Sequence, residues 1–507
     1  MLSFQLNGKN LEVPKGWTVM QAAKKMGVSI PHFCWHPGLS VAGVCRFCLV
    51  HVEGARKLEI ACNLQVREGM VVRTDIEEVK EAHKWALEFH LINHPLDCPI
   101  CDQAGECGLQ DYYMEVGLYK SQMNKEKVLK PKAIDAGSEL ILDTERCILC
   151  SRCVRFENEV TKTNALGIFD RGDRAILRTF KEEKITHNYQ ENLVDICPVG
   201  AFTSKKFRFK QRVWFLKEFS SICPGCETGC HINIHGRPER NRYFRVKPRI
   251  EEGSEQYWMC DKGRDVIQHL NPENRMTESR HTDSQGRLVH TDTASGIEFL
   301  ANKLDDTAPD KIGILVTAQY TSEEYEAFFR FFIKKLGIKN IHLWRDEKES
   351  LDEFDGILLR GDRNPNTRGL MTLLKKYDIE KSIVDEFSTC ISQDYDCLIV
   401  LGPEIYPDFQ QLKDRWKQLE GLPFVSYWGV HFEVCKMEGI QHLLPLKGFA
   451  EKRGTFVNFK GESQRLEQAF PAVVSDALDI QEVISKLDRP SVPVVQPVSE
   501  NVTLGLQ

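Results

Sequence analysis

Residues 2 to 13, LSFQLNGKNLEV, alternate apolar and polar side chains on either side of Asn7-Gly8. A period of two broken by an Asn-Gly pair predicts two strands joined by a tight hairpin turn. TVMQAAKKMG follows with helical spacing and stops at Gly27, so a short helix is expected there. VKEAHKWALEFHLINH, 79 to 94, also repeats its apolar positions at helical intervals. From 311 to 440, apolar runs such as CLIVLG alternate with helical stretches such as SEEYEAFFRFFIKKLG, which predicts an α/β layer with a largely parallel sheet. NPENRMTESRHTDSQGRL, 271 to 288, is polar and turn-rich and reads as a connection into that last domain.

The chain has 507 residues, too many for one domain. It is 42% hydrophobic and 28% charged, with a net charge of −6, so the basic excess of a nucleic-acid binder is missing and no nucleic-acid partner is expected. The polar start has no apolar core of a signal peptide, which argues against secretion. No apolar run approaches the length of a membrane span, so membrane contact is expected only through partner subunits.

Composition becomes informative at cysteine. Eighteen cysteines without a secretion signal do not suggest disulfides. Fifteen lie between 34 and 260 in four tight groups, while Cys390, Cys397 and Cys435 stand alone among apolar neighbours and read as small buried hydrophobes.

The first group is Cys34, Cys45, Cys48 and Cys62, set in the strand–strand–helix start of a ferredoxin-like β-grasp. The second is His94, Cys98, Cys101 and Cys107, in NHPLDCPICDQAGECGLQDY. Its prolines and glycines rule out a continuous helix or strand and predict a loop wrapped around a metal. Taken alone, three thiolates and an imidazole suit zinc as well as iron. The third is Cys147, Cys150, Cys153 and the distant Cys197-Pro198, the bacterial ferredoxin signature for a [4Fe–4S] centre. The fourth is Cys223, Cys226, Cys230 and Cys260, which alone could be a zinc ribbon. Beside the third motif, all four read as iron–sulfur ligands. No dinucleotide fingerprint, P-loop or nucleophile-base set is present, so no catalytic residue is assigned.

In this order the groups resemble the large iron–sulfur subunits of respiratory complex I, the NADH-quinone oxidoreductase chain called G in bacteria and the 75 kDa subunit in mitochondria. The resemblance covers residues 1 to about 270 closely. It implies an α+β multidomain chain: a β-grasp [2Fe–2S] domain (1–78), a helical [4Fe–4S] domain with one His and three Cys ligands (79–138), a ferredoxin-like [4Fe–4S] domain (139–215), a molybdopterin-oxidoreductase-type [4Fe–4S] segment (216–272), and a truncated α/β molybdopterin-oxidoreductase-like domain (273–507). In molybdenum enzymes a Lys-Gly pair after the last cysteine lies between cluster and pterin; here it is Lys262-Gly263. The last domain looks too short for that cofactor, so no molybdenum is expected, and the fourth centre is expected off the main electron path. The resemblance further implies one [2Fe–2S] and three [4Fe–4S] clusters. Electrons would come from NADH through FMN on a partner subunit, pass the first, third and second groups, and leave toward quinone through other peripheral-arm subunits. That transfer would be coupled to proton translocation, with the chain peripheral on the cytoplasmic side of the inner membrane. Formate dehydrogenase α subunits and NAD-linked hydrogenase subunits share parts of the order and are the alternatives.

Overall fold

The computed structural model describes residues 1–120, 122–251, 256–345, 350–405, 409–419 and 421–488. Two compact units emerge. The first holds Met1–Pro272 with the described residues of Lys348–Pro365 and Gln464–Val473; the second holds the described residues of Glu273–Glu347, Asn366–Ser463 and Val474–Gln507.

In the first unit, β1 (Leu2–Leu6) and β2 (Lys9–Val13) form the expected hairpin. Asn7 (φ 49°) and Gly8 (φ 82°) both take the left-handed conformation that such a two-residue turn requires. α1 (Val19–Lys25) begins in a capping box. Thr18 N–H donates to Gln21 Oε1 at 2.9 Å, and Gln21 N–H to Thr18 Oγ1 at 3.3 Å. With β3 (Leu49–Val52), β4 (Glu59–Ile60) and β5 (Val71–Arg73) the strands make a five-stranded sheet, ordered β2-β1-β5-β3-β4. α1 lays Val19, Met20, Ala22 and Ala23 on its Phe4, Leu6, Val50 and Val72. Burying each larger side chain contributes about 1.5–3 kcal/mol.

α2 (Glu77–Leu91) carries the chain to His94, and α3 (Gly108–Val116) starts straight after Cys107. The 93–112 stretch is therefore loop for most of its length but ends in helix; the loop expectation missed that Gly108 opens one. β6 (Ile134–Asp135) and β7 (Leu140–Leu142) follow, then α4 (Arg152–Glu159), the hairpin β8 (Leu166–Phe169) and β9 (Ile176–Thr179), α5 (Asn192–Ile196), and β10 (Phe202–Ser204) back against β7. β11 (Lys217–Ile222), β12 (His231–Arg237) and β13 (Arg242–Pro248) form an antiparallel meander, followed by one short helical turn, α6 (Asp261–Arg264).

The second unit is built on a seven-stranded sheet. β14 (Ser279–Thr282) falls inside the segment expected to be a plain connection, and β15 (Leu288–Thr291) starts at that segment's last residue; the two form an antiparallel hairpin at the sheet's edge. Asp283 Oδ1 accepts the N–H groups of Gln285 and Arg287, and Gly286 takes φ 76°. That side-chain turn is what makes a polar segment fold back. After α7 (Thr293–Asp305), β16 (Ile312–Val316), β17 (Ile341–Leu343), β18 (Cys397–Leu401), β19 (Val425–Gly429) and β20 (His442–Pro445) pair in parallel, and all five residues of β16, β18 and β19 are buried. Helices such as α8 (Ser322–Phe329) and α9 (Thr367–Lys376) contribute Phe328, Phe329, Leu370 and Leu374 to that core. Strands so thoroughly buried are the mark of a parallel sheet covered on both faces. No helix among the described residues is long and apolar enough to cross a membrane.

Candidate metal centres

Cys34, Cys45, Cys48 and Cys62 are all buried, at 1, 6, 2 and 0% exposure. Cys34 comes from the loop after α1, Cys45 and Cys48 precede β3, and Cys62 follows β4. Their thiols lie within hydrogen-bonding distance, Cys34 with Cys45 and Cys62, and Cys48 with Cys62. Those contacts push Cys34 and Cys48 down and Cys45 and Cys62 up. Gly43 and Arg46 take left-handed φ, folding the loop tightly, and the Cys34 N–H donates to Cys45 Sγ at 3.5 Å. Phe33 and Phe47 stack beside it with Tyr112 edge-on to both, and His90 of α2 donates to Cys45 O at 3.1 Å.

His94, Cys98 and Cys107 open on one apolar cavity of about 710 Å³ together with Trp85, Phe89 and Met114. Cys98 is exposed, whereas Cys101 lies apart from that lining, packed beside Gly200. His94 Nδ1 is buried with no hydrogen-bond partner. Burial, helped by Lys127 and Arg146, lowers its pKa to about 4. A neutral imidazole with an orphaned nitrogen fits a metal ligand.

Cys147, Cys150, Cys153 and Cys197 line one small cavity whose remaining wall is mostly apolar: Ile168, Leu177, Val199, Phe202. Leu149 (φ 57°) and Ser151 (φ 61°) are left-handed, a strain of about 1–2 kcal/mol each. Such strain gathers at functional sites. Leu149 N–H donates to Cys147 Sγ at 3.4 Å. Burial pushes the Cys147 thiol to about 12 and Cys150 to about 11. A thiolate is unfavourable there unless a bound cation compensates it, so the donor set fits iron.

Cys223, Cys226, Cys230 and Cys260 line a further cavity with Met259, Lys262, Gly263, Leu358 and Leu359. Gly263 N–H donates to Cys260 Sγ at 3.3 Å. A side chain at Gly263 would come within 2.9 Å of Met259 Cε and 3.2 Å of Cys223 Sγ, so glycine lets the backbone pack close against the thiols. Leu358 and Leu359 belong to a chain segment that returns to the first unit. Tyr189 OH accepts both their N–H groups and donates to Asp355 Oδ2 at 2.6 Å, and Thr228 Oγ1 donates to Leu358 O.

Each predicted group is thus gathered in space, with Cys101 set behind its fellows. Among the described residues, no three His, Cys, Asp or Glu side chains are arranged around a single ion. Cys390 and Cys397 are fully buried, and Cys435 is half-buried. Two basic side chains that the cysteine motifs do not advertise are central. Arg155 of α4 donates to Cys34 O and Ser40 O, and Arg152 donates to Trp35 O at 2.6 Å and Ile196 O at 3.0 Å. Glu159 accepts from Ser40, completing one helix face at i, i+3 and i+7. That spacing, inside a cysteine motif, was the available signal.

Four family models match in the same order: a 2Fe-2S iron-sulfur cluster binding domain (1–77), an NADH-ubiquinone oxidoreductase-G iron-sulfur binding region (84–122), the ferredoxin-like domain of NADH-quinone oxidoreductase subunit 3 (137–203), and a molybdopterin oxidoreductase Fe4S4 domain (216–272). The G subunit of NADH-quinone oxidoreductase from Rickettsia felis is 35% identical over 70% of this chain and 51% of its own length. The chain belongs to the family of large iron–sulfur subunits of NADH-quinone oxidoreductase. The corresponding subunit of Streptomyces coelicolor is 33% identical over 70% of this chain and 42% of its own. The mitochondrial NADH dehydrogenase [ubiquinone] iron-sulfur protein 1 of Solanum tuberosum is 37% identical over 66% and 45%. The chain spans about half the length of these curated relatives.

Proposed function

We propose that this chain is an electron-relay subunit of an NADH-quinone oxidoreductase and performs no bond chemistry of its own. In this reading Cys34, Cys45, Cys48 and Cys62 hold a [2Fe–2S] cluster. His94, Cys98, Cys101 and Cys107 hold one [4Fe–4S] cluster, Cys147, Cys150, Cys153 and Cys197 a second, and Cys223, Cys226, Cys230 and Cys260 a third. When bound, such clusters supply one-electron carriers whose potentials follow ligand type, burial and hydrogen bonding. The residues of the chain fix their spacing and exclude water.

The observation that carries the reading is the hydrogen-bonded succession of ligand segments. Arg152 joins the residue after Cys34 to the residue before Cys197. Gly108 N–H then donates to Pro198 O at 3.0 Å, joining the residues that follow Cys107 and Cys197. The order first, third, second supports electrons entering at the first group from an NADH- and FMN-binding partner and leaving at the second, where the exposed Cys98 faces outward. The fourth group serves mainly as a staple between the returning segment and α5. Quinone reduction, proton translocation and attachment to the cytoplasmic face of the membrane would belong to partner subunits.

The test is iron and acid-labile sulfide in chain purified without oxygen. About 14 of each per chain are expected for this cluster set. Stoichiometric zinc with iron near zero would replace the relay by a zinc scaffold.

A further inference from the structure

Arg152 differs from most inward-facing arginines of its unit. Arg146 pairs with Asp97 and Asp143, Arg245 with Glu106, and Arg264 with Asp195. No carboxylate ion pair or hydrogen bond involves Arg152 among the described residues. Its Nε is shut from solvent and has no acceptor. Both terminal nitrogens go to backbone carbonyls, Nη2 to Trp35 O and Nη1 to Ile196 O. Burial works against its charge, and what favours that charge is Cys150, Cys197 and Cys34 when they are thiolates. Arg155, three residues on, also lacks a carboxylate, but it turns wholly to the first-group loop through Cys34 O and Ser40 O.

A guanidinium stays charged at every accessible pH. Holding one in a poorly solvated place without a counter-ion costs several kcal/mol unless something negative repays it. Four thiolates around an oxidised cluster of either kind leave a net negative charge, and each added electron increases it. The cation is placed to feel two such sites.

We infer that Arg152 is the shared counter-cation of the first and third cysteine groups, a positioning residue that holds both centres at higher potential and ties their ligand loops together. The inference rests on the cluster assignment proposed above. Reduction adds an electron to each centre and takes up no proton from Arg152, so the effect is electrostatic and independent of pH. It is also local. The second group is surrounded by its own charges, Lys127, Arg146 and Asp97 around His94, and the fourth is not among the strongest groups acting on Arg152.

The experiment is a redox titration of the assembled complex followed by electron paramagnetic resonance, comparing the parent with Arg152→Gln and Arg152→Lys. In Arg152→Gln, the reduction equilibria of the first and third centres should both fall about tenfold, roughly 59 mV for one electron. The second and fourth centres should not move. Arg152→Lys, which keeps the charge, should restore most of both shifts. Equal shifts in all four centres, a shift in only one, or lysine behaving like glutamine overturns the inference. If the glutamine variant fails to assemble, the lysine variant decides: both potentials near the parent's support it, and both lowered sink it. Absence of the first and third signals from the parent complex would instead overturn the cluster assignment.

Discussion

A methyl group on Gly200 would lie 2.2 Å from Cys101 Sγ. Two cysteine groups forty residues apart in sequence are in contact through that missing side chain. Gly200 has no positive φ, so glycine is required there for space and not for backbone conformation. The same bare surface admits Gln103, whose Cβ would be 3.1 Å from the methyl. The Gly108 hydrogen bond to Pro198 O fixes the approach.

Gly200→Ala should therefore displace Cys101 and loosen the second group. Overpacking of this kind typically costs about 1–3 kcal/mol. We expect a lower melting temperature and loss of about four iron atoms per chain, read by thermal denaturation and iron assay. Full iron with an unchanged melt would mean the loop yields without harm.

His94→Cys adds a fourth thiolate to the second group. The centre should persist, and its midpoint potential should fall by at least about 59 mV, a tenfold change for one electron. Redox titration of that one signal checks it; a potential that stays put makes His94 a bystander.

In the second unit, Arg275 and Glu451 form a two-pronged ion pair, 2.9 Å on each arm, with both residues about 1% exposed. Arg275→Met leaves the carboxylate buried and should cost about 3–5 kcal/mol, whereas the double change Arg275→Met with Glu451→Leu should recover at least half of that. Urea unfolding followed by the buried Trp344, Trp416 and Trp428 gives the readout. A single variant within about 1 kcal/mol of the parent would show that the pair relaxes.

His442 is fully buried, with Nδ1 2.7 Å from Ser426 Oγ. Burial, with the neighbouring His281 acting in the same sense, lowers its pKa to about 3. The unfolded chain takes up this proton near pH 6.5 and the folded chain does not, so between those values the unfolded state binds more protons. Stability contributed by the neutral form is thus present above pH 6.5 and drains away as pH falls toward 3, by up to about 1.4 kcal/mol per pH unit. Unfolding curves from pH 7 to 4.5 should be steeper in the parent than in His442→Gln. Parallel curves would clear His442 of any part in acid sensitivity.

The cysteine groups were legible because ligand spacing is written locally, and so were the hairpin at Asn7-Gly8 and the buried strand at Cys397, where a turn or an unbroken apolar run decides the outcome. What escaped was long-range. Arg152 and Arg155 look like ordinary surface cations on a helix until the fold sets Trp35, Ser40 and Ile196 against them. The hairpin at 279–291 was hidden because its pairing with β20 depends on residues more than a hundred positions away. Cys101 gave no sign of standing apart from its three companions, since that follows from a glycine in another motif.

Because the wall of the fourth cavity includes Leu358 and Leu359, the information for that site is split across two distant stretches of sequence. A protein cut after Pro272 would carry all sixteen proposed ligands and still leave Thr228 Oγ1 and Tyr189 OH facing water. Exchange of the C-terminal portion between relatives at any single junction near 272 would import a foreign cover for an inherited site. The two stretches are therefore bound to change together, and a graft that respects the site must carry both.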